Sequence, residues 1–273
     1  MRIVVLDDFS TLINQTLSNW NWQVINGQNW TLEDFKKNAN QFEGIIIRSK
    51  FPLDRKHLTL AKKLKFIARP GSGLENIDLK YCEENNIEVF RSPEGNRDAL
   101  AEHTLGMLLS LINNLNIANS EVRNNIWERE KNRGTELKGK VMAIIGYGYM
   151  GKAFAQRLNG FEMEVIAYDK YISGFGTNHV KEVSLDEIFQ RADFVSLHTP
   201  LSSETIGIMN SSFFEKFKKP FIVINTARGK SLILEDLIES INSKKIIGAC
   251  LDVLDLESSN FSLNKNKNQN SKL

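Results

Sequence analysis

The sequence predicts an α/β protein with two parallel β-sheets, one in each of two domains. Short apolar runs alternate with stretches of helical periodicity along most of the 273 residues, and this alternation is typical of parallel sheets covered by helices. A glycine-rich segment, Val141 to Asp169, lies in the second of two domain-sized regions of this kind. The composition, 41% hydrophobic and 25% charged, is that of a soluble globular protein with room for two cores.

Charge and composition exclude several classes of function. A formal net charge of +2 favours neither nucleic acid nor a membrane surface as a partner. No apolar run approaches the ~18 residues of a membrane span, and the start of the chain, Met1 to Phe9, lacks the apolar segment of a signal peptide. Cys82 and Cys250 have no metal-ligand spacing, so we expect two buried, reduced thiols, no metal site and a cytoplasmic location.

Residues 1–95 form the first predicted domain. Five strand-like runs are separated by helical stretches, which predicts a small parallel sheet. The predicted strands are Ile3–Leu6, Trp22–Ile25, Gly44–Arg48, Leu64–Ala68 and Ile87–Phe90. The predicted helices are Ser10–Asn19, Leu32–Asn38, Leu53–Lys62 and Ile77–Glu84.

Residues 96–257 form the second predicted domain. It begins with a long helical pattern, Asp98 to Asn119, whose broad apolar face predicts burial between domains or subunits. Further strands are predicted at Asp193–Leu197, Phe221–Asn225 and Ile246–Leu251, with a helix at Leu232–Asn242. Residues 258–273 are rich in Asn, Lys and Ser without periodicity, which is typical of a low-complexity tail.

The glycine-rich segment has the layout of a dinucleotide-binding βαβ unit. Gly146 allows a sharp turn out of the strand, Gly148 allows the backbone to approach a pyrophosphate, and Gly151 allows close packing of helix on strand. Asp169 ends the second strand, where a carboxylate binds a ribose diol and repels a 2′-phosphate; NAD is therefore favoured over NADP, although Lys170 weakens that preference. The cofactor contacts predicted here are Gly146, Gly148, Tyr149, Met150, Gly151 and Asp169.

Polar residues follow the later strands of the second domain. His198-Thr199-Pro200 follows one strand, Thr226-Ala227-Arg228 follows the next, and Asp252 follows the last. Ligands of open parallel sheets bind at the carboxyl ends of the strands. We therefore expect these residues to lie close to the cofactor.

Several motifs together resemble the D-isomer-specific 2-hydroxyacid dehydrogenases, and most closely their D-3-phosphoglycerate dehydrogenase branch. The motifs occur in the order of the family and cover about residues 1–257, which makes the combination much more specific than any single block. They are the glycine motif, Arg69 to Asp78, Pro93 to Asn96, Ala101 to Thr104, His198 to Leu201 with Glu204-Thr205, Asn225 to Gly229 and Gly248 to Val253. The resemblance implies a flavodoxin-like substrate domain followed by a Rossmann NAD-binding domain.

The resemblance also implies site residues. Arg228 would hold the carboxylate and carbonyl oxygen of the substrate, a task suited to a cationic fork. The backbone N–H groups of Ser72 and Gly73 would bind the same carboxylate, and Arg69 would contact the substrate. Glu257 would orient a catalytic histidine and raise its pKa. The implied lining of the cofactor groove is His198, Thr199, Pro200, Thr205, Thr226, Ala227, Arg228 and Asp252, with Asp252 bound to the nicotinamide.

Plainer interpretations stay open for these residues. Arg228 can be a surface arginine, Asp252 a turn residue and Glu257 a solvated side chain next to the tail. His103 is expected to be structural rather than catalytic. His57 and His179 are expected at the surface.

The sequence departs from the family at its end. The acid/base histidine of the family follows the glutamate by about two dozen residues, which corresponds to a position near 280, whereas the sequence ends at Leu273. We therefore expect this chain, as given, to be truncated and to have little or no activity, since loss of positioned acid–base catalysis costs roughly 10²–10⁴-fold.

Two functions remain open at this point. The first is an NAD-dependent oxidoreductase interconverting a small D-2-hydroxyacid and a 2-keto acid, with 3-phosphoglycerate of serine biosynthesis as the proposed substrate. Arg48, Lys50 and Arg69 are its candidate phosphate ligands, or else solvated loop charges. The second is a non-catalytic NAD-binding sensor on the same scaffold. The family also implies a homodimer, with Ala99–Leu115 as the expected contact helix.

Overall fold

The structure is a computed structural model that describes residues 1–9 and 11–255. It contains two all-parallel sheets, one of five and one of six strands, flanked by helices. The predicted α/β class is therefore confirmed. The chain divides into two compact units between Asn96 and Arg97.

The first unit is built on the strand order β2-β1-β3-β4-β5, which is the flavodoxin-like order. Its helix α2 begins with a capping box, in which Thr31 and Asp34 satisfy each other's backbone N–H groups. The strands are β1 (Arg2–Val5), β2 (Gln23–Asn26), β3 (Gly44–Ile46), β4 (Phe66–Arg69) and β5 (Glu88–Arg91). The helices are α1 (Thr11–Asn19), α2 (Leu32–Asn38), α3 (Arg55–Leu58) and α4 (Leu79–Glu84), with short 3₁₀ turns at Ala39–Gln41 and Pro93–Gly95.

The second unit has the strand order β11-β10-β9-β6-β7-β8, which is the Rossmann order. Its strands are β6 (Val141–Ile145), β7 (Glu164–Tyr168), β8 (Lys181–Glu182), β9 (Phe194–Leu197), β10 (Phe221–Asn225) and β11 (Ile246–Leu251). Its helices are α5 (Arg97–Ile112), α6 (Leu115–Arg123), α7 (Tyr149–Arg157), α8 (Leu185–Arg191), α9 (Ser211–Phe214) and α10 (Leu234–Asn242), with a 3₁₀ turn at Gly229–Ser231.

Both faces of the six-stranded sheet are buried. Along β6, Ala143 and Ile145 pack into one hydrophobic cluster, while Met142 and Ile144 pack into another. Successive side chains of a strand point to opposite faces, so these two clusters lie on the two sides of the sheet. This explains why the strands read as continuous apolar runs.

The structure corrects several local predictions. The predicted helix Asp98–Asn119 is two helices, α5 and α6, separated at Asn114, whose φ of 53° is left-handed. His57, expected at the surface, is only 2% exposed, with its Nδ1 2.8 Å from Asp54 Oδ1.

Other local predictions agree with the structure. His179 is exposed as predicted, and Cys82 and Cys250 are buried, free thiols as predicted. The predicted tail, 258–273, lies outside the described residues.

No helix among the described residues is long and apolar enough to cross a membrane. Within the same residues, no group of three or more His, Cys, Asp or Glu side chains is arranged to hold a metal ion.

Candidate functional site

The carboxyl ends of five neighbouring strands of the second unit lie at one level. In the sheet ladder, Tyr168 pairs with Ile145, Ile145 with Leu197, Leu197 with Asn225, and Asn225 with Leu251. The next residue of each strand is therefore at the same edge of the sheet. These residues are Asp169, Gly146, His198, Thr226 and Asp252, all of them predicted cofactor contacts. We call this set the strand-end row.

Two glycines of the predicted fingerprint are required by close packing. Gly146 has a φ of +93°, and a Cβ there would lie 2.8 Å from the His198 carbonyl oxygen. A Cβ on Gly151 would lie 2.2 Å from the carbonyl oxygen of Gly146, so only glycine lets α7 approach β6 this closely.

Gly148 is different because its surroundings are open. It precedes α7 with a φ of −81°, and nothing lies within 4 Å of a Cβ built on it. The fold of the turn does not itself demand glycine here. An open approach to the backbone at the N-terminus of a nine-residue helix is what a pyrophosphate needs, because the free N–H groups of the first turn point into it. Tyr149 and Met150 are the first two residues of that helix.

Asp169 is held in place by three backbone N–H groups. Its Oδ2 accepts from Tyr147 N at 2.7 Å, and its Oδ1 accepts from Tyr171 N at 2.9 Å and Ile172 N at 3.1 Å. The carboxylate is therefore fixed beside the glycine turn. A carboxylate has about four acceptor positions, so it retains capacity for a ribose hydroxyl.

His198 and Thr199 carry buried polar atoms without a hydrogen-bond partner among the described residues. These atoms are His198 Nδ1 and Thr199 Oγ1. The other ring nitrogen of His198 lies 2.8 Å from Ser196 Oγ, and burial lowers the pKa of His198 to about 4. His198 is therefore neutral at physiological pH, which suits the predicted lining of the cofactor groove better than a role in proton transfer.

Pro200 and Thr205 belong to a turn after β9 that is closed by its own hydrogen bonds. Thr205 Oγ1 donates to Pro200 O at 2.7 Å and accepts from Ser202 N at 2.8 Å. Thr205 therefore fixes the shape of the loop at the cofactor side of β9. The groove-lining role that the family resemblance implies for Thr205 stays a prediction.

The end of β10 is organised by a buried asparagine that the sequence analysis did not single out. Asn225 accepts from Ala227 N at 3.1 Å through Oδ1 and donates to Arg228 O at 3.0 Å through Nδ2. Arg228 is partly buried, and its Nη1 donates to Ala227 O at 2.6 Å. Thr226 Oγ1 accepts from Thr104 Oγ1 of α5 at 3.4 Å. These contacts fix the backbone from which the Arg228 guanidinium extends.

The segment after β11 lies unusually close to the segment after β10. A Cβ on Gly229 would be 2.0 Å from Leu254 O. Asp252, at the start of the same segment, is 3.0 Å from Nε2 of His103 on α5. His103, expected from the sequence to be structural, thus contacts a predicted cofactor residue. The only signal for it was its place in the Ala101-to-Thr104 motif.

The predicted substrate residues of the first unit lie at the end of β4 (Arg69) and in the loop that follows it (Ser72 and Gly73). Arg69 Nε donates to Arg48 O at 3.0 Å, and Arg91 Nη1 donates to Ser72 O at 3.3 Å. These bonds tie the end of β4 to the loop after β3, and the end of β5 to the loop after β4. Within the described residues, the hydrogen bonds of this loop leave the N–H groups of Ser72 and Gly73 without an acceptor. Glu257, the other predicted catalytic residue, lies outside the described residues.

The strand-end row fits a dinucleotide. Open space in front of Gly148 and an unpartnered hydroxyl on Thr199 provide room and a hydrogen-bonding group. Asp169 has remaining acceptor capacity at one end of the row, and Asp252 lies at the other.

Comparison with known proteins also indicates a dinucleotide-binding protein. The family model described as "D-isomer specific 2-hydroxyacid dehydrogenase, NAD binding domain" matches residues 105–271. D-3-phosphoglycerate dehydrogenase of Sus scrofa is 35% identical over 257 residues, which are 92% of this chain and 48% of that protein. The chain therefore spans about half the length of this relative.

Two further relatives are covered more completely. Hydroxypyruvate reductase of Thermotoga maritima is 32% identical over 94% of this chain and 83% of its own length. The crystal structure of an NAD-dependent formate dehydrogenase from Staphylococcus aureus in complex with NAD superimposes with a TM-score of 0.78 at 27% identity, covering 93% of this chain and 82% of that one. The chain belongs to the D-isomer-specific 2-hydroxyacid dehydrogenase family and contains its NAD-binding domain.

Proposed function

We propose that this protein is an NAD-dependent oxidoreductase that interconverts a D-2-hydroxyacid and a 2-keto acid. The observation that supports this most is the strand-end row, which brings Gly146 of the glycine turn and Asp252 to one edge of a single sheet, with Arg228 two residues after Thr226 of the row. The relatives named above are dehydrogenases and a reductase.

The row suggests how the cofactor is held. The bound nicotinamide supplies the hydride acceptor or donor. The first turn of α7 and the open face of Gly148 bind the pyrophosphate, and Asp169 binds the adenosine ribose. At the opposite end, Asp252, whose carboxylate lies 3.0 Å from His103 Nε2, would hold the nicotinamide end of the cofactor.

Arg228 is the proposed substrate clamp. Its guanidinium can bind a carboxylate through two parallel hydrogen bonds and stabilise negative charge on the adjacent oxygen. The bonds from Asn225 fix its backbone, so the side chain starts from a defined position. The backbone N–H groups of Ser72 and Gly73 and the side chain of Arg69, which the family resemblance implies as further substrate contacts, stay predictions.

The test uses the purified 273-residue chain, NADH and a panel of 2-keto acids, with the absorbance of reduced nicotinamide as the readout. We expect slow oxidation of NADH with at least one keto acid, in agreement with the low activity expected from the sequence, and a further loss of rate of about 10²–10³-fold in Arg228→Gln with NADH affinity retained. NADH binding without turnover on any keto acid would contradict the enzyme and support the alternative, a non-catalytic NAD-binding sensor.

We propose D-3-phosphoglycerate as the substrate. Its oxidation is a reaction of serine biosynthesis, which we place in the cytoplasm. The name of the relative from Sus scrofa, D-3-phosphoglycerate dehydrogenase, gives this compound as its substrate. A phosphate needs cations; Arg48 and Lys50 follow β3 of the first unit, and Arg69 is the last residue of β4. Arg48 is exposed, whereas Lys50 donates to Gln28 O. Arg48 is therefore the better candidate for the phosphate.

Two keto acids that differ only in the phosphate test this assignment. Arg48→Gln should raise the KM for phosphohydroxypyruvate about tenfold, because one charge-assisted contact to the phosphate is lost. The KM for hydroxypyruvate should stay unchanged. An equal change for both keto acids would contradict a phosphate-binding role.

We also propose a homodimer formed through α5, α6 and β11. These elements surround a mostly apolar cavity of about 560 Å³, and exposed apolar side chains flank it, among them Leu115, Ile117 and Ile247. Sedimentation should show a dimer for the wild type and a monomer for Ile117→Lys. Leu60→Lys, which changes an exposed leucine of the first unit, serves as the control and should remain dimeric. A wild-type monomer would overturn this proposal.

A further inference from the structure

Three side chains next to Asp169 form one hydrogen-bonded group. Lys170 Nζ lies 2.7 Å from Glu204 Oε1, and the Tyr171 hydroxyl donates to Glu204 Oε2 at 2.5 Å. Both carboxylate oxygens of Glu204 are therefore occupied. The two contacts lower the pKa of Glu204 and raise those of Lys170 and Tyr171, so the lysine stays protonated and the glutamate ionised.

This group bridges two strands that are not neighbours. Lys170 and Tyr171 follow β7, whereas Glu204 lies in the turn after β9, and β6 runs between those strands. The Lys170–Glu204 pair thus links the two sides of the strand that leads into the glycine turn. Glu204 is presented by the hydrogen-bonded turn of Ser202 and Thr205, in which Glu204 N also donates to Ser202 Oγ at 3.3 Å.

The charges of this group bear on which dinucleotide is accepted. Asp169 alone disfavours the 2′-phosphate of NADP by repulsion. Lys170, the next residue, would offset that repulsion, because a cation beside the ribose site attracts the phosphate. With Glu204 bound to Lys170, the formal charges of Asp169, Lys170 and Glu204 sum to −1. Without the charge of Glu204, those of Asp169 and Lys170 sum to zero.

We propose that Glu204 is a specificity-determining residue, which keeps the site selective for NAD by neutralising Lys170. The proposal rests on the NAD binding proposed above for the strand-end row, but not on any catalytic step. It explains how a lysine can directly follow the ribose-binding aspartate in an NAD site. The exposed pair contributes little to folding stability, so its effect should appear in cofactor choice.

Binding measurements test this without turnover. The dissociation constants of NADH and NADPH are obtained from the fluorescence of the reduced nicotinamide for wild type and Glu204→Gln. We expect NADH affinity to change little and NADPH affinity to rise about tenfold, since one unit of negative charge is removed near a doubly charged phosphate. The difference should shrink at high salt, because the charges are exposed.

Three further variants separate charge from structure. Glu204→Asp keeps the charge and should keep the wild-type preference. The double variant Lys170→Gln with Glu204→Gln restores a formal charge of −1 at these three positions and should also keep the wild-type preference for NADH. Glu33→Gln removes a carboxylate paired with Lys36 on the surface of the first unit and should change neither affinity.

The outcomes are distinguishable. An unchanged ratio of NADH to NADPH affinity in Glu204→Gln would overturn the proposal, as would an equal rise in NADPH affinity in Glu204→Asp. A wild type that binds neither cofactor would overturn both this proposal and the proposed NAD site. Absence of keto-acid turnover, with the ratio shifted as expected, would contradict only the enzyme function.

Discussion

The glycines of the cofactor turn have different physical roles, and substitutions can separate them. A Cβ on Gly151 meets a backbone oxygen at 2.2 Å, whereas one on Gly148 meets nothing within 4 Å. Gly151→Ala should destabilise the fold by about 1–3 kcal/mol through overpacking. Gly148→Ala should leave the melting temperature unchanged and weaken NADH binding about tenfold or more, because the methyl group fills the approach to the pyrophosphate. Equal melting temperatures for both variants would contradict this assignment.

His198 should make stability depend on pH. Its pKa is about 4 in the folded chain, because of burial, and about 6.5 in an unfolded one. The unfolded state therefore binds more protons between these values, and the free energy of unfolding should fall as the pH decreases from about 6.5 to about 4.

Urea unfolding of wild type and His198→Gln measures this contribution. Between about pH 7.5 and about pH 5, the wild type should lose about 2 kcal/mol more than the variant. Gln can still bond to Ser196 Oγ, so the comparison isolates the titration. Parallel stability curves for the two proteins would show that His198 is not the group responsible.

Among single residues, the spacing of a motif predicted a position in the site better than the local sequence around a residue did. The glycines and Asp169 were predicted from the fixed spacing of the dinucleotide-binding motif. In the structure, each of them has a different environment. His57 and His103 could not be interpreted in this way. The burial of His57 and the contact of His103 with Asp252 depend on segments that are distant in sequence.

Among the elements, the break between α5 and α6 was invisible to hydrophobic periodicity. The apolar pattern continues through Leu115, yet Asn114 adopts a left-handed conformation, with a φ of 53°. Asparagine tolerates this conformation better than most residues. The strands were easier to predict, because a strand buried on both faces is a continuous apolar run; β8, which has two exposed residues, carries no such signal.

The conformation of Asn114 can be tested by two substitutions. Asn114→Ala should destabilise the protein by about 1 kcal/mol, since alanine disfavours the left-handed region. Asn114→Gly should be close to neutral or stabilising relative to the alanine variant. Urea unfolding provides the measurement. Equal stability of the two variants would indicate that the helix break does not depend on this residue.

For the whole molecule, the alternation of strands and helices predicted both parallel sheets, and the sheet orders match the flavodoxin-like and Rossmann patterns. The boundary between the two units falls at Asn96 and Arg97. Which unit binds the substrate stays a prediction. The common level of five strand ends could not be read from the sequence, because register is set by pairing between distant segments, such as Ile145 of β6 with Leu197 of β9.

That common level has a consequence for how the protein can change. Asp169 and Asp252 lie four strand spacings apart in the sheet order, which is about 19 Å. Substitutions at that separation without shared partners have additive free energies. Changes at one end of the row should therefore leave the energetics of the other end intact. Such a sheet allows adenosine recognition and nicotinamide placement to evolve as independent traits, one loop at a time.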